Sequence, residues 1–113
     1  VYTADFPARS VLDQITSRWG VLVLCALQDG PMRFYLLRDR IGGISEKMLS
    51  QTLRTFVRDG LVARDVAPTV PPQVTYSLTT LGQELAGTLG LLVRWVTHRM
   101  DDILAARERY DRA

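Results

Sequence analysis

The stretch ISEKMLSQTLRTFVRDGLV, from Ile44 to Val62, carries the chain's most capable set of polar side chains. At 3.6 residues per turn, Lys47, Ser50, Gln51 and Arg54 fall on one side of a helix, and Arg58 continues the stripe one turn later. Leu49, Leu53 and Phe56, spaced i, i+4, i+7, form the opposite, apolar face. Donors of this kind suit the major groove: glutamine bonds adenine bidentately, and lysine or arginine bonds O6 and N7 of guanine. Ser45 and Lys47, at the positive end of such a helix, can instead hold a phosphate. Glu46 either accepts from cytosine N4 or stabilises the helix start through the dipole. The competing reading is an ordinary solvated helix surface, so the neighbouring segments must decide.

Charge is the first of these. Residues 32–64 hold seven bases (Arg33, Arg38, Arg40, Lys47, Arg54, Arg58, Arg64) against three acids (Asp39, Glu46, Asp59), a net of +4, whereas residues 84–113 hold five of each. The excess sits in the middle third, as an electrostatic footprint for a polyanion should. Enzyme chemistry finds little support: there is no nucleophile–base pair, no paired carboxylates on an apolar wall and no phosphate-cradling glycine loop. Cys25 is the single cysteine and His98 the single histidine, which excludes an intramolecular disulfide and offers no familiar metal spacing. No cofactor is expected. The longest strongly apolar run, Gly20 to Leu27, falls far short of the roughly 20 residues a membrane span needs, so a cytoplasmic protein with no membrane partner is expected.

The 113 residues suit one domain spanning 1–113. Pro7 opens a first helix with Val11, Leu12 and Ile15 on one side. RWGVLVLCALQDG is apolar nearly all round, a buried helix or strand, and its length and terminal DG favour a helix ending near Gln28. PMRF is a candidate short strand, and FYLLRDRI a short helix with Leu36, Leu37 and Ile41 inward. Ser45 caps the next helix, read over Lys47 to Asp59. Residues 61–78 alternate as a two-stranded ribbon with a proline-rich tip, TVPPQ. Thr79 then caps a long helix to about residue 111, whose Leu85, Leu89, Leu92, Val96, Met100 and Ile103 recur by threes and fours as in a helix–helix seam. The expected fold is mainly α with a small β-ribbon: a winged helix-turn-helix, its reading helix at about 45–58 and its wing at about 61–78.

Three segments, SRWGVLVLCAL, GPMRFYLLRDRIGGISEKMLSQTLRTFVRDGLV and VPPQVTYSLTTLGQEL, carry a resemblance to the HxlR family of bacterial transcriptional regulators, whose fold is MarR-like. The resemblance covers about residues 7–98. It implies a homodimer, formed through the N- and C-terminal helices, that binds a double-stranded DNA operator. The implied DNA-contacting residues are Ser45, Lys47, Ser50, Gln51, Arg54 and Arg58, with Arg18 on backbone phosphate and Arg33 or Arg64 supplying phosphate contacts near the wing. The dimer interface is expected at Val11, Leu89, Leu92, Trp95, Val96, Met100 and Ile103.

Two departures from the family pattern matter. Many members carry a sensing cysteine just before the N-terminal proline, where this chain has Phe6, and Cys25 in its apolar helix reads as a buried thiol, usually inert. At the wing, Gln73 replaces a frequent basic residue, leaving no charge between Asp65 and Gln73 to enter a narrow minor groove. The neutral tip keeps open a second reading, a winged-helix protein-interaction module that does not read DNA. Trp19, Tyr35 and Trp95, with Tyr110, are candidate walls of a cavity for a small-molecule effector; plain helix packing is the alternative. Gly87 and Gly90 suggest either close backbone approach or a bend in the last helix.

Overall fold

The computed structural model describes residues 2–113. Helix α1 (Pro7–Ile15) starts at its proline, and α2 (Gly20–Ala26) follows after a tight turn. There a side chain on Gly20 would collide with the carbonyl oxygens of Gln14 and Ile15 at 2.6 and 2.5 Å. The apolar segment is therefore a helix, as its length suggested, but a short one, and its last residues Leu27–Asp29 tighten into a 3-10 turn before Gly30. Strand β1 (Met32–Arg33) leads directly into α3 (Phe34–Arg40) and then α4 (Glu46–Arg58). Ser45 caps α4 by accepting a hydrogen bond from the Met48 N–H at 3.0 Å, and Gly60, at φ +75°, lets the chain leave it.

Strands β2 (Val62–Ala67) and β3 (Gln73–Leu78) form the expected ribbon, and β1 extends it to an antiparallel sheet in the order β1-β3-β2. Helix α5 (Thr80–Arg112) closes the chain. Its cap ties three elements together: Thr79 Oγ1 accepts from the Gly82 N–H at 3.0 Å and donates to the Gly60 carbonyl at 2.6 Å.

The core is built from α2, α3, α4, β2 and α5 with their connections: Val23, Leu24 and Leu27 with Leu37, Ile41, Leu49, Leu53, Phe56, Val62 and Leu89. The 3.6-residue period of α4 thus places Leu49, Leu53 and Phe56 inside as expected. Two expectations need correction. Leu36 is 61% exposed, because a seven-residue helix resting on the core through Leu37 turns its neighbour outward. Leu89, expected between chains, is buried in the chain's own core, where α5 packs on α2. Within the chain, neither late glycine marks a close approach: a side chain on Gly87 meets nothing within 4 Å, and one on Gly90 meets only side-chain atoms at 3.5 Å or more.

Candidate nucleic-acid interface

Burial of Leu49, Leu53 and Phe56 fixes the rotation of α4, and so decides what its other face shows. Lys47, Gln51, Arg54 and Arg58 are exposed along it and Ser50 is half-buried. Ser45, exposed at the cap, spends its acceptor on the Met48 N–H and keeps its hydroxyl hydrogen for a ligand. Glu46 lies in the first turn of α4, as the dipole reading requires, and also makes a contact that sequence did not suggest. Its carboxylate takes a 2.6 Å ion pair from Arg38 on α3, and Arg38 also binds Asp39 at 3.2 Å and stacks over the Tyr35 ring at 5.0 Å. The hydrogen bond to Asp39, with the charges of Asp39 and Glu46, raises the Arg38 pKa further.

This pairing sorts the basic residues of the middle third. Arg38 is neutralised by Asp39 and Glu46, and Arg40 by Asp29. Arg33, Lys47, Arg54, Arg58 and Arg64 form no ion pair among the described residues, and neither does Arg18. These six are the cations proposed from sequence for contact with DNA; Arg9, Arg94, Arg107 and Arg109, outside the middle third, also form no ion pair among the described residues. An exposed charge without an internal counterion is free to meet an external one.

Position then separates these six. Arg64 pairs with Tyr76 across the sheet, and Met32 flanks Tyr76 from the other side, so all three share the face that packs towards the core. Arg33 sits opposite Thr75, whose other neighbour is Asp65, on the reverse face. The structure therefore brings Arg64 towards α4 and leaves Arg33 apart from it. Arg54 opens onto two crevices, one shared with Ser50, Val57, Arg64 and Tyr76, the other with Gln14, Ser17 and Gln51. Arg58 looks onto α1, beside Pro7, Val11 and Gln14. Arg18 lies over the Trp19 ring at 5.1 Å, at the turn into α2. Gln14, Ser17 and Tyr76 were not singled out from sequence; for Tyr76 the signal was there, in the alternation Val74, Tyr76, Leu78.

The three proposed cavity aromatics lie on different elements, at the start of α2, on α3 and on α5. Trp19 packs against the core, Tyr35 is 60% exposed and edge-on to Phe34, and Trp95 is 57% exposed on the far half of α5. The concavities beside α4 are lined by other residues. Cys25 is half-buried against the core, and burial pushes its thiol pKa up. Among the described residues no helix is long and apolar enough to cross a membrane, and no cluster of side chains could hold a metal ion.

The sequence profile of HxlR-like helix-turn-helix proteins matches residues 14–103. An HTH-type transcriptional regulator of Escherichia coli K12, YtfH, is 44% identical over 108 residues, covering 96% of this chain and 86% of that protein. The solved structure of the transcriptional regulator YtfH of Salmonella typhimurium superposes with a TM-score of 0.90 at 45% identity, covering 96% of each chain. The redox regulator HypR in its reduced form superposes at 0.80 with 32% identity, covering 88% of this chain and 99% of that one.

Proposed function

This chain belongs to the HxlR-like helix-turn-helix family of transcriptional regulators, and we propose that it works as a homodimer that reads a two-fold-related operator with α4 in the major groove. The observation that carries this reading is the sorting of charge: of the five cations of the middle third that lack an internal partner, four (Lys47, Arg54, Arg58 and Arg64) lie on or beside α4. Lys47 and Gln51, in the first turns of α4, face base edges; Arg18 and the cap at Ser45 fix register on backbone phosphates. The second protomer joins through α1 and the distal part of α5, where Val11, Leu92, Trp95 and Val96 are exposed. Met100 and Ile103 continue that seam. Two reading helices are then presented about one helical turn of DNA apart, and an effector acts by altering that spacing.

The test is to recover and sequence the genomic fragments that the protein retains, then to titrate one of them across a salt series. Log affinity should fall with log salt by about 0.9 for each phosphate neutralised. Gln51→Ala should relax preference at one base position by about 1–3 kcal/mol, while Arg18→Ala should weaken all sequences equally. Absence of sequence-selective, salt-dependent binding would sink the reading.

A further inference from the structure

Arg54 of α4 and Arg64 of β2 converge on one crevice of about 350 Å³, lined also by Ser50, Val57 and Tyr76. No carboxylate lines it. The acids of the surrounding elements are placed elsewhere: Glu46 is tied to Arg38, Asp59 lies on the α1 side beside Arg58, and Asp65 is on the reverse face of β2. Neither guanidinium, nor the hydroxyl of Ser50 or Tyr76, has a hydrogen-bond partner among the described residues. Two like charges facing a shared hollow repel one another, and the arrangement becomes favourable when an anion sits between them. Two guanidinium forks offer only donors and each of the two hydroxyls can add one more, which suits an oxyanion with several acceptor oxygens.

We propose that this crevice is a cradle for one phosphate of the DNA backbone, held by Arg54, Arg64, Ser50 Oγ and Tyr76 Oη. The assignment rests on α4 lying in the major groove. The crevice sits at the junction of α4 and the sheet, where a DNA strand leaving the groove passes towards the wing. It moves Arg54 from the base-reading set to the phosphate-holding set, and it supplies at the wing's base the positive charge that the neutral tip lacks. Val57 also lines the crevice and competes for no donor.

Methylphosphonate substitution tests this, one operator phosphate at a time, with the full-length dimer. One phosphate per half-site should cost the unaltered protein about ten-fold in affinity when its charge is removed, and should cost Arg64→Gln almost nothing further. Arg64→Gln alone should weaken operator and scrambled duplexes by the same factor and lower the salt slope by about one per protomer. Tyr76→Phe, which keeps the ring and its packing, should show the same coupling at the same phosphate in smaller degree. A parallel titration compares inorganic phosphate with chloride at equal ionic strength, following the side-chain Nε resonances of Arg54 and Arg64. Operator binding with no phosphate coupled to Arg64 overturns the cradle and leaves the regulator reading intact. Absence of any operator binding removes the regulator reading, and the crevice then stands as a site for free phosphate only if inorganic phosphate alone shifts both resonances; if it does not, the proposal fails as well.

Discussion

The two halves of α5 share one apolar period and meet different surroundings. In the first, Gly82, Ala86 and Leu89 are buried against the chain's own α2 and sheet. In the second, Leu92, Trp95, Val96 and Leu104 keep 40–57% of their surface. A helix of 33 residues is about 50 Å long, and the molecule measures 62 × 34 × 24 Å, so the distal turns run past the body that covers the proximal ones. The difference teaches that a periodic apolar stripe announces burial without saying against what. The proximal half belongs to the fold, and the distal half is the surface on which the proposed homodimer depends.

Glycine substitution gives the sharpest contrast. A side chain at Gly82 would lie 1.9 Å from the Leu61 carbonyl oxygen, a backbone atom that cannot swing aside. Gly82→Ala is expected to destabilise the fold by about 3 kcal/mol or more, measured by urea denaturation, and to disturb the α4–β2 turn that carries Leu61. Gly87→Ala, one and a half turns along, enters open space and should stabilise the helix by roughly 1 kcal/mol. A loss at Gly87 that grows with protein concentration would mean that a partner backbone approaches there, and would extend the interface into the proximal half.

Next in size is the pair Leu89 and Val96. Leu89→Ala should cost about 2–4 kcal/mol of stability without changing the oligomeric state, since it opens a cavity inside one chain. Val96→Asp should leave the protomer folded and shift sedimentation from dimer to monomer, with operator affinity falling as the second half-site is lost. An unchanged dimer would place the interface elsewhere and break the comparison.

Much of this was legible in sequence because one interaction dominated each element. Ser45 and Thr79 are caps, and each makes the hydrogen bond its position called for. Leu49, Leu53 and Phe56 are enough to orient α4. The misreadings arose where two effects competed. Leu36 and Leu37 carry the same side chain on a helix of only seven residues, where spacing alone cannot say which one the core takes. Leu89 sits where a core face and a seam overlap on one helix. Arg38 resembles Arg54 in sequence, and only the tertiary placement of Glu46 shows that one is spent internally while the other is free. Trp19 meets the core while Tyr35 and Trp95 stay largely exposed, a difference to which residue type is no guide.

Cys25 provides the smallest test, as a reporter on the proximal half. It lies in α2, the helix that α5 covers, half-buried against the core. Burial raises its pKa above the ordinary 9.0, and only the thiolate reacts, so alkylation by iodoacetamide at pH 8 should be slower than in the urea-unfolded chain. The inflection of its pH–rate profile should lie above that of the unfolded chain. The same shift has a thermodynamic side: the folded chain holds this proton more tightly, so the thiol's small contribution to stability is complete below about pH 9 and is lost as pH rises through the raised value. Leu89→Ala loosens the packing of α2, and should speed alkylation and bring the inflection back towards the ordinary value. Val96→Asp acts beyond the covered turns and should change neither. If both substitutions accelerate alkylation alike, the two halves of α5 are mechanically coupled, and the distal surface contributes to the stability of the core as well as to assembly.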